Sequence, residues 1–129
     1  MCTSLKQIII PSLVNIIKSY AFDGRVSLTE VLIKGSLNNI DKCILRECSS
    51  LKYVSIPSSI QLIGDYAFSE CHSLKQISIF SSKNHSSFTI PKPVQSIGDY
   101  AFSECSILSI PYIYIYLNFK HIYWYQSKF

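Results

Sequence analysis

The stretch "IGDYAFSEC" stands at residues 63–71 and again, unchanged, at 97–105. A catalytic loop is needed once. A stretch written twice points to a unit stacked on itself or to a site used repeatedly. The residues around it decide between these. "CSSLKYVSIPSSIQLIGDYAFSE" fills 48–70, and the next unit opens at Cys71 with "CHSLKQISI". One step of 23 residues back, "RVSLTEVLIKGSLNNIDKCILRE" fills 25–47, and a further step back "CTSLKQIIIPSLVNIIKSYAFDG" fills 2–24. Leu5, Leu28, Leu51 and Leu74 share one column. Ile8, Val31, Val54 and Ile77 share a second, and Ile10, Ile33, Ile56 and Ile79 a third. Ile17, Ile40 and Ile63 form another, as do Phe22, Leu45 and Phe68.

The fourth unit is longer. Cys71 and Cys105 lie 34 residues apart, one period plus 11. The Ser-rich "FSSKNHSSF" at 80–88 has no apolar periodicity and is predicted to belong to a loop inserted over about 80–90. Val94, Ile97 and Phe102 then return to their columns. The organisation expected is four units, near 2–24, 25–47, 48–70 and 71–104, with a broken fifth from 105. Repeats occupy 1–111, and an aromatic tail follows over 112–129.

The columns carry the fold. In "LKYVSI", Leu51, Val54 and Ile56 face one way while Tyr53 and Ser55 face the other, the alternation of a short strand. Pro57 ends it, having no N–H for the ladder. "SSIQLIGDYAF" turns the chain back, with Ile60 and Ile63 inward, Gly64 expected to adopt a conformation closed to most residues, and Ala67 and Phe68 filling the outer arc. One unit cannot bury its apolar side alone. Stacking units ~4.8 Å apart pairs the strands in parallel and makes a continuous core. The repeated arc is therefore read as structural.

The pattern C-x-S-L-K-x-I-x-I-P-x-S-x-x-x-I-G-x-x-A-F resembles the BspA-like leucine-rich repeat, a 23-residue class found in surface antigens of bacteria and protists. The resemblance spans about residues 2–111. It implies a leucine-rich-repeat solenoid, curved, with short parallel strands on one face and irregular arcs on the other, mainly β and irregular. It also implies a non-enzymatic binding module, since family members include adhesins that bind matrix proteins or cells, and it carries over no catalytic residue. The second unit departs from the pattern, with Lys34 in place of proline, Asp41-Lys42 in place of Gly-Asp and Ile44-Leu45 in place of Ala-Phe.

Composition narrows the function classes. With 48% hydrophobic and 16% charged residues, the 129-residue chain is too apolar to be disordered. Its net charge of +4 comes from scattered residues, with no basic cluster of the kind nucleic acid requires. No apolar stretch is long enough for a membrane-spanning helix, and no signal peptide is read at "MCTSLKQIIIPSL". The location expected is therefore cytoplasmic if the chain is complete, and the cell surface if it is a fragment of a longer family member. The start at the first residues of a repeat favours a fragment or a mispredicted gene end. So does the tail "PYIYIYLNFKHIYWYQSKF", whose commonest residues A/T-only codons can encode. The same tail also reads as an irregular rung capping the stack.

No catalytic group, cofactor or metal is expected. His72, His85 and His121 lie far apart, and no glycine-rich phosphate loop exists among four glycines. Cys2, Cys48, Cys71 and Cys105 share a repeat position, with Cys43 outside it. The reading favoured is a buried free thiol in each unit, with a Cys48–Cys71 disulfide or a metal site as alternatives. Asp65/Glu70 and Asp99/Glu104 belong to the duplicated arc and read as a solvated face. The candidate binding surface is the outward side of the strands, where Glu30, Leu32, Tyr53, Ser55, Gln76, Ser78 and Phe80 fall, beside Gln7 and Ile9. An aromatic and aliphatic patch with a polar rim is what a protein interface offers; cross-strand pairing within the sheet accounts for the same residues. The partner expected is a protein. The alternatives are an intracellular scaffold or a remnant without function.

Overall fold

Apolar columns at a fixed period build two parallel ladders joined by arcs. The structure, a computed structural model, describes residues 4–79 and 95–105. The inserted loop over 80–90, Cys2, Phe80, Val94 and the tail over 112–129 lie outside the described residues. Four long strands, β1 (Gln7–Ile10), β2 (Glu30–Ile33), β4 (Tyr53–Ile56) and β6 (Gln76–Ile79), pair in parallel in that order. Three short ones, β3 (Asn39–Ile40), β5 (Leu62–Ile63) and β7 (Ser96–Ile97), form a second parallel sheet. The register steps by one period at each rung: Ile8 faces Val31, Val31 faces Val54, and Val54 faces Ile77. Among the described residues there is no helix. The fold is the parallel-stranded solenoid that the columns predict and that the family resemblance implies.

Each turn of the solenoid, here a coil, puts its columns inside. Leu28, Leu51 and Leu74 are fully buried, as are Ile40, Ile63, Phe68 and Phe102. The Phe68 and Phe102 rings stack with centroids 5.4 Å apart and planes 4° from parallel. Burying one such ring stabilises the fold by about 2–3 kcal/mol. Ile44 and Leu45 replace Ala-Phe in coil 2 and are buried just as completely, so the departure there exchanges one apolar filling for another. Coil 1 differs. Leu5 is 41% exposed, and Ile8, Val14 and Phe22 are half-buried, because no coil covers their outer side among the described residues.

The arcs run on left-handed backbone. Tyr20, Cys43, Tyr66 and Tyr100 have φ near +60°, and so do Glu47, Glu70 and Glu104, with Gly24 at +73°. Such a φ costs a non-glycine residue about 1–2 kcal/mol. It is held because these same residues aim their N–H groups along the stack. Cys43 donates to Asp65 O at 3.0 Å, Glu47 to Ser69 O at 2.7 Å, Tyr66 to Asp99 O at 3.0 Å and Glu70 to Ser103 O at 2.7 Å.

Gly64 corrects an expectation. It is not among the residues of positive φ. It is small because the next backbone is close: a Cβ there would lie 2.7 Å from Lys42 N and 2.9 Å from Asp41 C. The amide of Gly64 donates to Ile40 O at 2.7 Å, and that of Gly98 to Ile63 O at 2.7 Å. Glycine at this position lets two coils touch.

The cysteine column forms a ladder of its own. Cys48 donates its thiol to Phe22 O at 3.2 Å, Cys71 to Leu45 O at 3.1 Å and Cys105 to Phe68 O at 3.1 Å. Each sulfur bonds to the preceding coil. The described cysteines, Cys43 among them, are buried and free, which is the favoured reading and excludes the Cys48–Cys71 disulfide. Burial pushes the Cys48 thiol up to about 11, and that of Cys71 well above its ordinary range. Both are held neutral and unreactive at physiological pH.

Candidate functional site

The outward side of β1, β2, β4 and β6 presents two rows, each built by the register. The first runs Gln7, Glu30, Tyr53, Gln76; the second runs Ile9, Leu32, Ser55, and the backbone of Ser78 continues its register. Gln7 donates through Nε2 to Glu30 Oε1 at 2.6 Å, so the first row begins as a tied pair. Tyr53 stands next, 44% exposed. Glu30 and Gln76 are half-buried on its two flanks. In the second row Ile9 is 50% exposed and Leu32 is half-buried.

Ser55 offers almost no surface, with 9% exposure. Its side chain is short and lies in a central strand between Leu32 and Ser78. The register brings Ser78 level with Ser55, while Phe80 lies outside the described residues. The rows thus unite Glu30, Leu32, Tyr53 and Gln76 on one surface, with Tyr53 the most exposed of these four.

A third feature went unread in the sequence. Lys6, Lys52 and Lys75 are exposed one residue before the strands begin. Their backbones are fixed by the ladder: Lys6 O accepts from Thr29 N at 2.8 Å, and Lys52 O accepts from Lys75 N at 2.9 Å. The signal was present as "SLK" at the head of the first, third and fourth units, at 4–6, 50–52 and 73–75, with "SLT" in the second. The row that holds Tyr53 is therefore bordered by lysines.

The arc face is organised differently. Tyr66 and Tyr100 stack with centroids 5.2 Å apart and are about 40% exposed. Asp65 Oδ1 accepts from Asp99 N at 2.8 Å, which makes this carboxylate a tie between coils. Asp23 takes a bidentate bond from Arg46 at 2.9 and 3.0 Å. This pair lies at the surface, and the bond raises the Arg46 guanidinium further above its ordinary range. His72 Nδ1 lies 3.0 Å from Glu104 O. Among the described residues no three His, Cys, Asp or Glu side chains gather as metal ligands, and no helix is long and apolar enough to cross a membrane.

A family model described as the BspA type leucine rich repeat region matches residues 1–86 and 78–125, in 6 copies. The chain belongs to the BspA-type leucine-rich repeat family. Two solved structures share its fold. A leucine-rich repeat protein of T. pallidum superposes with a TM-score of 0.56 at 24% identity, over 80% of this chain and 56% of that one. A leucine-rich repeat protein from Bacteroides ovatus gives 0.52 at 26% identity, over 81% of this chain and 32% of that one. This BspA-type chain thus spans about half the length of the first and a third of the second. No curated protein matches it at a significant level. Proteins built from leucine-rich repeats are generally non-enzymatic scaffolds for protein interaction, and the family suggests a protein-interaction repeat module here.

Proposed function

We propose that this module binds a protein partner across the strand face, with Tyr53 as the anchor, Leu32 beside it and Lys6, Lys52 and Lys75 along the border. The observation that carries this reading is Tyr53 itself. A rigid amphipathic ring stands 44% exposed in a central strand, where the neighbouring strands supply half-buried Glu30 and Gln76. Tyrosine in such a setting anchors interfaces at low entropic cost. The lysine border favours a partner whose pocket for the ring is ringed by carboxylates, and it makes association faster at low salt. Family members that act as surface adhesins extend the proposal to attachment at a cell surface.

The test is affinity for a captured partner in two variants. Tyr53→Ala is expected to weaken binding by at least ~2 kcal/mol, about 30-fold. Asp65→Ala, on the arc, is expected to leave affinity unchanged. Equal affinities for the wild type and Tyr53→Ala, with folding intact, move the site off this face.

A further inference from the structure

Coils 1 and 2 meet unlike any other pair. Between coils 2 and 3, Gln61 N and Leu62 N donate to Asn38 O, and Gly64 N donates to Ile40 O. Between coils 3 and 4, Gln95 N and Ser96 N donate to Gln61 O, and Gly98 N donates to Ile63 O. The repeat places Asn38, Asn39 and Asp41 at these donor positions in coil 2, with Asn15 O and Ile17 O as acceptors in coil 1. Among the described residues none of those three bonds is formed, and β3 has no partner strand in coil 1.

The cause is one side chain. Gly64 and Gly98 are where the next backbone comes closest, and a Cβ on either would collide with it. Coil 2 carries Asp41 at that place. By the geometry seen at Gly64 and Gly98, its Cβ excludes so close an approach and would act as a wedge between the two backbones. On both sides of the wedge the coils still touch. Tyr20 N donates to Lys42 O at 3.3 Å, and Gly35 packs against the Val14 carbonyl. Between these two contacts lies an open slot of about 340 Å³, lined by Asn15, Ile16, Ile17, Leu37, Asn38, Asn39 and Asp41. Its floor is apolar, with Leu37 1% and Ile17 9% exposed.

The chemistry of the walls defines what fits. The coil 2 wall offers the N–H groups that would have met coil 1. The coil 1 wall offers the carbonyls that would have received them. A group bridging these walls must accept from one and donate to the other, which a hydroxyl does and an ion of either sign does not. Three carboxamides repeat that dual demand. The Asp41 carboxylate accepts from two adjacent hydroxyls at once, in charge-assisted bonds. Ile16, 71% exposed, supplies an apolar surface for the C–H face of a ring. At ~30 Å³ per water, the volume holds about ten waters, more than bridging three bonds requires.

We propose that the slot between coils 1 and 2 is a binding site for a hexopyranose, free or as the terminal residue of a glycan. The site is separate from the strand face and does not depend on the reading given there.

The experiment is an amide chemical-shift titration of the full chain with glucose, galactose and mannose and with their methyl glycosides. At least one sugar is expected to shift the amides of residues 15–17 and 37–41 saturably, and not those of Tyr53 or Gln76. Response to methyl glycosides as well as to free sugars assigns the site to glycan ends; response to reducing sugars alone assigns it to free hexose. Asp41→Ala keeps the Cβ wedge and removes the carboxylate, and is expected to weaken binding at least tenfold. Asp41→Gly removes the wedge, and is expected to abolish binding while slowing hydrogen exchange at Asn39 and residue 41. Saturable shifts at these amides that Asp41→Ala weakens at least tenfold and Asp41→Gly abolishes uphold the assignment. No sugar-dependent shift there up to the solubility of every sugar, or binding unchanged in both variants, overturns it.

Discussion

Gly64→Ala is the change that tests how closely the coils must approach. The added Cβ would meet Lys42 N at 2.7 Å, Asp41 C at 2.9 Å and Ile40 O at 3.0 Å, all of them backbone. No flexible side chain can step aside, so coils 2 and 3 must separate. Overpacking of this kind costs ~1–3 kcal/mol. Separation also lengthens the 2.7 Å bond from Gly64 N to Ile40 O, worth about 1 kcal/mol. The sum is ~2–4 kcal/mol, a large part of the ~5–15 kcal/mol that holds a domain together. Urea unfolding followed by circular dichroism measures the loss. Hydrogen exchange locates it, with faster exchange expected at Leu62 and residue 64 while the long strands stay protected. Gly24→Ala is the control. Its Cβ meets nothing within 4 Å, and only its φ of +73° is unfavourable, for about 1 kcal/mol. If Gly64→Ala costs no more than Gly24→Ala and Leu62 keeps its protection, close approach is not why glycine stands there, and the account of Asp41 as a wedge fails with it.

Phe68→Ala removes one of two stacked buried rings and is expected to lower stability by about 3–5 kcal/mol in the same unfolding assay; a loss below 1 kcal/mol (about one methylene's worth) would show that the ring is not core. The Cys48 thiol, raised to about 11 by burial, stays protonated in the fold where unfolded thiols already ionise. Stability is therefore full below about pH 9 and falls as pH rises towards 11, by up to ~3 kcal/mol. In Cys48→Ala this decline should be shallower; an unchanged slope would place the titration elsewhere. Deleting residues 80–90, read from the sequence as an inserted loop, is expected to leave cooperative urea unfolding intact, and loss of cooperativity would place the segment in the core.

The inward residues were legible in the sequence because each repeats at one period and is apolar for one reason. Leu51, Val54, Ile63 and Phe68 could be placed without coordinates. The strand register followed from the same period. Gly64 was recognised as special, but the cause was misread, since a sequence does not separate a glycine needed for its φ from one needed for its missing Cβ. The left-handed Tyr66 and Glu70 gave no signal, because neither residue type marks that conformation and the inter-coil bonds that hold it are tertiary. Of the candidate surface, Tyr53 was found from alternation alone. The near-burial of Ser55 was not, because it depends on the neighbours that the sheet brings to either side. The slot at Asp41 was present as a departure from the pattern, but a broken pattern becomes a cleft only when the missing hydrogen bonds can be counted.

The bonds between residues one period apart bear on how such an array can grow by duplication. A unit copied without change sets every ionised side chain directly over its own duplicate, and like charges stacked in this way repel. Divergence is what turns that repulsion into cohesion. Asp23 sits under Arg46 and Gln7 under Glu30, and each pair is a bond. Where the copy is perfect, at Asp65 and Asp99, the first carboxylate turns to the backbone N–H of the second residue. A newborn array of identical units would therefore be tolerated where a carboxylate can turn to the next coil's backbone N–H and penalised where it cannot, and at such places a substitution that changes the sign of one member ties the two coils together.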